Sequence, residues 1–257
     1  MFWGRVAVEG RVVFGTVEGK ELRVYEGDMF AAAKPTGEVI DVANSQWLTP
    51  CVPSKMLALW NNFHAAAEKN ALAKPPEPLY FVKTANSFTA SGTVIPAPKS
   101  YEGRVIYEGE LGVVIGREAR AVSMEEAGSY IFGYTCVNDV TALELLHRDA
   151  SFTQWTRAKN FDGFGAFGPL IATNVDAGKL AVRTLVNGRE RQNYPVADMI
   201  FSPAQLVSLI SQDMTLLPGD VIACGTSLGA LPMKAGTTVD VVIDGVAVLQ
   251  NTYGTAP

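Results

Sequence analysis

The sequence predicts a mostly β protein of the α+β class, with a few short helices and a small N-terminal β unit. Short β-prone runs bounded by Gly, Pro and Asn turns recur along all 257 residues. Strand-like runs outnumber helical ones, and the strand–helix alternation of a doubly wound sheet is weak. No internal repeat or low-complexity tract points to a solenoid or a disordered array. With 48% hydrophobic residues the chain can bury a sizeable core.

Residues 1–46 read as a small unit of three strands, at 5–9, 12–17 and 21–25, split by glycine-containing turns. A larger domain is expected over 50–257. It opens with a buried strand at 55–60, followed by a helix capped by Asn61 or Asn62 and running through Asn70. The proline run at 74–78 ends that helix and leads into a strand at 79–83. A strongly apolar strand follows within 105–116. Ser123 and Glu126 have the spacing of a capping box, so a short helix starts there. Residues 130–137 form another buried strand, which delivers Asn138 and Asp139 before a helix from Thr141 to about Asp149. The stretch 151–169 reads as loop. Asn187-Gly188 marks a hairpin after a strand at 180–186. Ser202-Pro203 starts a helix striped by Leu206, Leu209 and Ile210, and strands at 221–224, 238–243 and 246–249 close the chain.

Composition narrows the function. Net charge is −5, and Lys and Arg are dispersed, which argues against a nucleic-acid partner. No apolar run approaches the roughly 18 residues of a membrane span. The first residues lack a basic segment leading into a long apolar one, so a cytoplasmic protein is the expectation. The three cysteines are scattered and read as reduced, buried thiols. With two histidines in the chain, a zinc site of His and Cys is disfavoured, and any metal must be held by oxygen.

Two sharper motifs fail on context. Residues 163–168 spell G-x-G-x-x-G, but polar loop precedes them and a strand follows, the reverse of a dinucleotide fingerprint. Residues 225–229 spell G-x-S-x-G, but no helix follows and both histidines lie upstream of Ser227. A turn between strands is the better reading.

The feature that survives is a pair of carboxylates. Glu108 and Glu110 stand two apart at the entrance to the 105–116 strand, so their side chains share a face. Like charges side by side repel, and near a core they also lose hydration. Alone, the pair reads as the polar face of a half-exposed strand. Asp139, at the end of another apolar strand, shifts the balance. Three carboxylates from two strands make a hard-oxygen site suited to Mg2+ or Mn2+. Such an ion can chelate a 2-oxo acid or its enolate and act as a Lewis acid. His64 and Glu68, at i,i+4 on the predicted helix, share a face and have the composition of a general acid/base pair. A surface histidine is the simpler reading of His64 alone. His147 reads as a helix-end residue.

The order of these pieces resembles the fumarylacetoacetate hydrolase superfamily over residues 50–252. It runs from His64 through Phe81-Val82-Lys83, Glu108-Gly109-Glu110 and Gly133-Tyr134 to Asn138-Asp139. It continues with Lys159 to Gly163, Gly168-Pro169, Asn187-Gly188, Pro218-Gly219-Asp220 and Cys224-Gly225-Thr226. The resemblance implies a mixed β-roll, a divalent ion (Mg2+ or Mn2+), a homodimer and a small 2-oxo or 2,4-dioxo acid substrate from aromatic catabolism. It makes Glu108, Glu110 and Asp139 metal ligands, and His64 with Glu68 the proton-moving dyad. Lys159 would stabilise the enolate, while Lys83, Gly225 and Thr226 would bind substrate. Two departures stand out. Leu143 and Leu146 occupy positions where many members carry Arg and Gln, and the spacing from His64 to Glu68 is four where three is common.

The segment from Lys74 to Lys83 is most similar to the isomerase/decarboxylase members, so isomerisation or decarboxylation is the leading expectation. A C–C hydrolase of acylpyruvate or fumarylpyruvate type is the alternative within the family. A catalytically silent metal- or ligand-binding homologue is the alternative from another class.

Overall fold

The computed structural model describes residues 1–254. A twelve-stranded sheet runs through the molecule. Its path begins at Lys34–Asp41 and passes through Glu21–Glu26, Arg11–Glu18 and Phe2–Val8 to Gly165–Ala172. From there it crosses Ile131–Asp139, Gly109–Ile115, Val221–Ala223 and Met56–Trp60 and ends at Leu79–Lys83. A five-stranded sheet, ordered Arg189–Pro195, Ala181–Val186, Thr237–Ile243, Ala247–Gly254 and Val94–Pro96, packs over its middle. The architecture is mostly β and mixed, as the turn-punctuated sequence predicts.

The Gly109–Ile115 strand is buried at every position. A strand covered on both faces must be apolar on both, which is why this run shows no alternation. Gly109 separates the two glutamates for a steric reason. A Cβ there would lie 2.0 Å from Thr184 Oγ1 of the second sheet, so only glycine lets the sheets close around the carboxylates. The antiparallel register sets Gly109 opposite Asn138 and Glu110 opposite Val137, which brings Asp139 beside the Glu-Gly-Glu stretch. The Asp139 N–H donates to the Glu108 carbonyl at 2.9 Å and fixes that end of the pairing.

Several elements depart from the sequence-based expectation. The helix predicted over 141–149 is absent. Thr141–Ala142 instead pairs with Val105–Ile106, and a 3-10 turn follows at Leu143–Leu145. Tertiary pairing overrides helical propensity there, reinforced by Thr141 Oγ1, which donates to Glu108 Oε1 at 2.9 Å. The loop expected over 151–169 contains a helix at Trp155–Lys159 and the strand Gly165–Ala172. The helix capped by Asn61 or Asn62 is shorter, His64–Lys69, and neither asparagine caps it. Asn62 is buried and bonds Phe201 N, Phe201 O and Cys224 O instead. At the N-terminus a fourth strand, Lys34–Asp41, joins the three predicted. Phe2–Gly4 pairs with Leu170–Ala172, so the N-terminal strands extend the main sheet. The helix at Pro203–Asp213 starts as predicted, with a full capping box between Ser202 and Gln205.

Asp220 fastens the strand that carries Trp60. Its Oδ1 accepts from Ser54 N, Ser54 Oγ and Lys55 N at 3.0, 2.6 and 3.1 Å, and its Oδ2 from Leu217 N at 2.8 Å. Asp220→Ala leaves these donors without a partner in a buried setting. It is expected to lower stability by about 2–4 kcal/mol in urea unfolding, because each orphaned buried donor costs about 1–3 kcal/mol, partly relieved by water. A loss below about 0.5 kcal/mol, the scale of a surface change, would show that Asp220 does not hold this corner.

Candidate metal centre and cavity

Three carboxylates converge where the central strands end. One oxygen each of Glu108, Glu110 and Asp139 lies within 4.8 Å of the others. The sequence placed these three together, and the fold does so through the register just described. Glu110 and Asp139 are fully buried, and Glu108 is half-buried.

Two lysines answer the concentrated charge. Lys159 closes the Trp155–Lys159 helix, and its Nζ donates to Glu108 Oε2 and Asp139 Oδ2, both at 2.6 Å. Lys83 Nζ, with its side chain wholly out of solvent, donates to Asp139 Oδ1 at 2.6 Å and to the Lys159 carbonyl. Asp139 is thus clamped between two ammonium groups. Burial pushes its carboxyl up, but Lys159 and Lys83 outweigh that and hold it below the ordinary value. Burial also pulls Lys159 down, and Asp139 with Glu108 and Glu110 more than reverses it. Lys83, more deeply buried, is pulled below the ordinary lysine value.

Glu110 is left out of this exchange. Its Oε2 accepts from Gly225 N at 2.8 Å, but its buried Oε1 has no partner. Burial, with the neighbouring Asp139 and Glu108 charges adding to it, pushes its carboxyl well above the ordinary value. Burial raises Glu108 as well, with Lys159 opposing. An orphaned buried carboxylate oxygen facing two other carboxylates is the arrangement a hard divalent cation completes. The donor set therefore fits such an ion.

A second layer holds these groups in place. Gln192 Oε1 accepts from Gly109 N at 3.0 Å, and the Tyr194 hydroxyl donates to the Gly109 carbonyl. Thr226 Oγ1 also donates to that carbonyl, at 3.0 Å, and accepts from Gln192 Nε2 at 2.8 Å. Gln192 and Tyr194 were not legible in the sequence. They alternate inward on an otherwise polar strand that gives no chemical signal of its own.

Outside the carboxylates lies a cavity of about 360 Å3, lined at its polar end by Glu108, Lys159, Thr226 and Ser227. The predicted substrate residues divide here. Thr226 lines the cavity. Lys83 does not, because it lies beneath Asp139 as a structural counter-ion. Gly225 does not line it either, and its N–H is committed to Glu110. Its positive φ of 89° and the close Leu59 carbonyl explain a glycine there.

The predicted dyad is also placed elsewhere. The His64–Lys69 helix turns Ala66 and Asn70 to the cavity, and His64 and Glu68 are exposed and do not line it. Helical geometry requires this separation, since residues two before and two after Ala66 lie on the opposite side of the helix. The imidazole that does line the cavity is that of His147. The sequence marked it as a helix-end residue because the turn carrying it looked helical.

Among the described residues no helix is long and apolar enough to cross a membrane. Residues 55–253 match the model of the fumarylacetoacetate hydrolase C-terminal family, and residues 1–50 match an Rv2993c-like N-terminal family. The structure of 5-carboxymethyl-2-hydroxymuconate delta-isomerase from Mycobacterium smegmatis superposes with a TM-score of 0.92 at 33% identity, covering 100% of both chains. A 4-hydroxyphenylacetate degradation bifunctional isomerase/decarboxylase from Salmonella dublin is 36% identical over 238 residues, 91% of this chain and 55% of that enzyme. The chain thus spans about half of that protein. Fumarylpyruvate hydrolase from Pseudomonas aeruginosa, solved with Mn2+ and pyruvate, superposes with a TM-score of 0.73 at 27% identity, covering 81% of this chain and 91% of that one.

Proposed function

Since the chain belongs to the fumarylacetoacetate hydrolase family, we propose that it is a divalent-metal-dependent enzyme that isomerises or decarboxylates a small 2-oxo acid through its enolate. The observation that carries this reading is the convergence of Glu108, Glu110 and Asp139 beside a cavity lined by Glu108 and one ammonium, Lys159. Those three carboxylates would hold Mg2+ or Mn2+, which supplies Lewis-acid polarisation of a 2-oxo carboxylate when bound.

The chain's own residues do the rest. Lys159 Nζ places a fixed positive charge beside the carboxylates, where an enolate oxygen develops. Thr226 Oγ1 offers a polar contact at the same end of the cavity. Lys83 keeps Asp139 oriented and ionised. Isomerisation and decarboxylation need no water nucleophile, whereas C–C hydrolysis does. Among the described residues the imidazole that lines the cavity, His147, is not paired with a carboxylate as a water-activating dyad requires, and this favours the first two over the hydrolase reading. His147, which lines the cavity, would move a carbon-bound proton.

The test is consumption of oxaloacetate, acetylpyruvate and a carboxymethyl-hydroxymuconate-type diene with Mg2+ or Mn2+, products being identified by mass. Turnover that is lost with EDTA or in Glu108→Ala supports the proposal. Full activity after both treatments would sink it. Substitution separates the two imidazoles. His147→Ala should lower kcat by about 10²-fold, the low end of acid–base contributions. His64→Ala should leave it within about twofold, as for a surface change. The opposite ranking would return the proton relay to the His64–Lys69 helix.

A further inference from the structure

On its aromatic side, away from the polar end, the cavity adjoins a second hollow of about 420 Å3. The two share Trp60, Phe81, Leu146, His147 and Trp155, so one aromatic wall borders both. Its wall is built from stacked aromatic rings. Phe81 and Trp155 lie face to face with centroids 4.9 Å apart, and Trp60 meets Trp155 edge-on at 6.2 Å. The wall begins at the head of the site, because Lys159 Nζ sits 5.1 Å from the centre of the Phe81 ring. Leu143 and Leu146 close the side facing it.

Charge is what this space lacks. Among the described residues no arginine lines either hollow, and the single lysine, Lys159, is held by Glu108 and Asp139. Of the arginines beside it, Arg104 bonds Glu144 and Arg148 stands 6.0 Å from the centre of the Tyr101 ring. With a divalent ion added, the three carboxylates and two lysines leave one net positive charge, which the head carboxylate of a 2-oxo acid consumes. A second carboxylate at the far end of the substrate would sit against indole and leucine with no cation to meet it. Against such a wall a carboxylate loses water and finds no donor to replace it, which is unfavourable. Aromatic and alkyl groups gain there by burial and ring stacking.

We infer that this site selects 2-oxo acids whose distal group is uncharged and apolar, an aryl or alkyl tail lying along Trp155, Phe81 and Leu146, and rejects those ending in a second carboxylate. The inference rests on the head-group reading given under the proposed function and adds the substrate class.

Calorimetric binding to the Mn2+-loaded protein tests it with three probes: oxalate, phenylpyruvate and 2-oxoglutarate. Oxalate has no tail and reads the head site alone. Phenylpyruvate should bind at least about tenfold more tightly than 2-oxoglutarate, since a site that cannot pair a buried polar group discriminates by at least that much. Trp155→Ala should erase the preference. Leu143→Arg, at a half-buried position on the rim, should turn it toward 2-oxoglutarate. If oxalate binds and 2-oxoglutarate equals or beats phenylpyruvate, the tail inference is overturned while the head-group reading stands. If oxalate itself fails to bind, the head-group reading falls and the tail inference falls with it. Should either variant fail to fold, the comparison of the three probes on the unaltered protein still decides.

Discussion

Glu110→Gln is expected to abolish metal-dependent turnover, by on the order of 10³-fold, without harming the fold. Lewis-acid stabilisation is worth several kcal/mol, and each 1.4 kcal/mol or so is a factor of ten. The substitution is nearly isosteric. The amide oxygen can keep the bond from Gly225 N, and the amide nitrogen replaces the oxygen that has no partner. The metal-free protein therefore loses a buried carboxyl whose ionised form is disfavoured by burial and by two neighbouring carboxylates, and its melting temperature should hold or rise slightly. The unaltered protein should gain about 2.7 kcal/mol from an ion at roughly 100 times its Kd. For a chain of this length that is a rise of roughly 5–10 °C. The variant should show almost none of it. A Glu110→Gln protein that still melts higher in Mn2+, or still turns substrate over at full rate, would remove Glu110 from the metal centre.

The behaviour of Glu110 also shows what the sequence could and could not reveal. Its spacing from Glu108 made a shared face readable, and the apolar run after it made burial readable. The need for glycine between them was hidden, because it comes from Thr184 on another sheet. Asp139 was legible as a carboxylate at the end of an apolar strand. The lysines were harder. Lys83 ends a recognisable strand, but only the fold shows that its ammonium turns inward beneath Asp139 and not toward substrate. Lys159 lay in a stretch that reads as loop because its one-and-a-half-turn helix is too short to produce periodicity.

His64 and Glu68 lie away from the cavity for a different reason. His64 and Glu68 share a helical face, as their spacing requires. Spacing does not say which face meets the cavity, and packing of Ala67 into the core turns Ala66 and Asn70 inward. The aromatic wall assembles from Trp60, Phe81 and Trp155, three elements far apart in the chain, and no local pattern could join them. Motifs carried by one strand or one turn were readable. Features made by docking several elements were not.

Lys159→Met is expected to separate binding from catalysis. Lys159 Nζ touches one oxygen of Glu108 and one of Asp139, two of the three groups proposed to hold the ion. An ammonium there repels a divalent cation and competes for its donors. Removing it leaves Asp139 with Lys83 and Glu108 with Thr141, so the donor set keeps its orientation. Mn2+ affinity measured by calorimetry should therefore rise. The metal-free variant, having lost one partner of a buried ionic network, should be less stable by about 3 kcal/mol and regain much of that with Mn2+. Turnover should nonetheless fall by about 10²–10³-fold, the scale of removing one fixed donor from a developing oxyanion. A residue that merely held the carboxylates apart would give the reverse pairing, weaker metal binding with turnover restored at saturating Mn2+. Tighter metal binding with undiminished turnover would make Lys159 a counter-ion of the metal-free site, and the charge that steadies the enolate would then have to come from the ion alone.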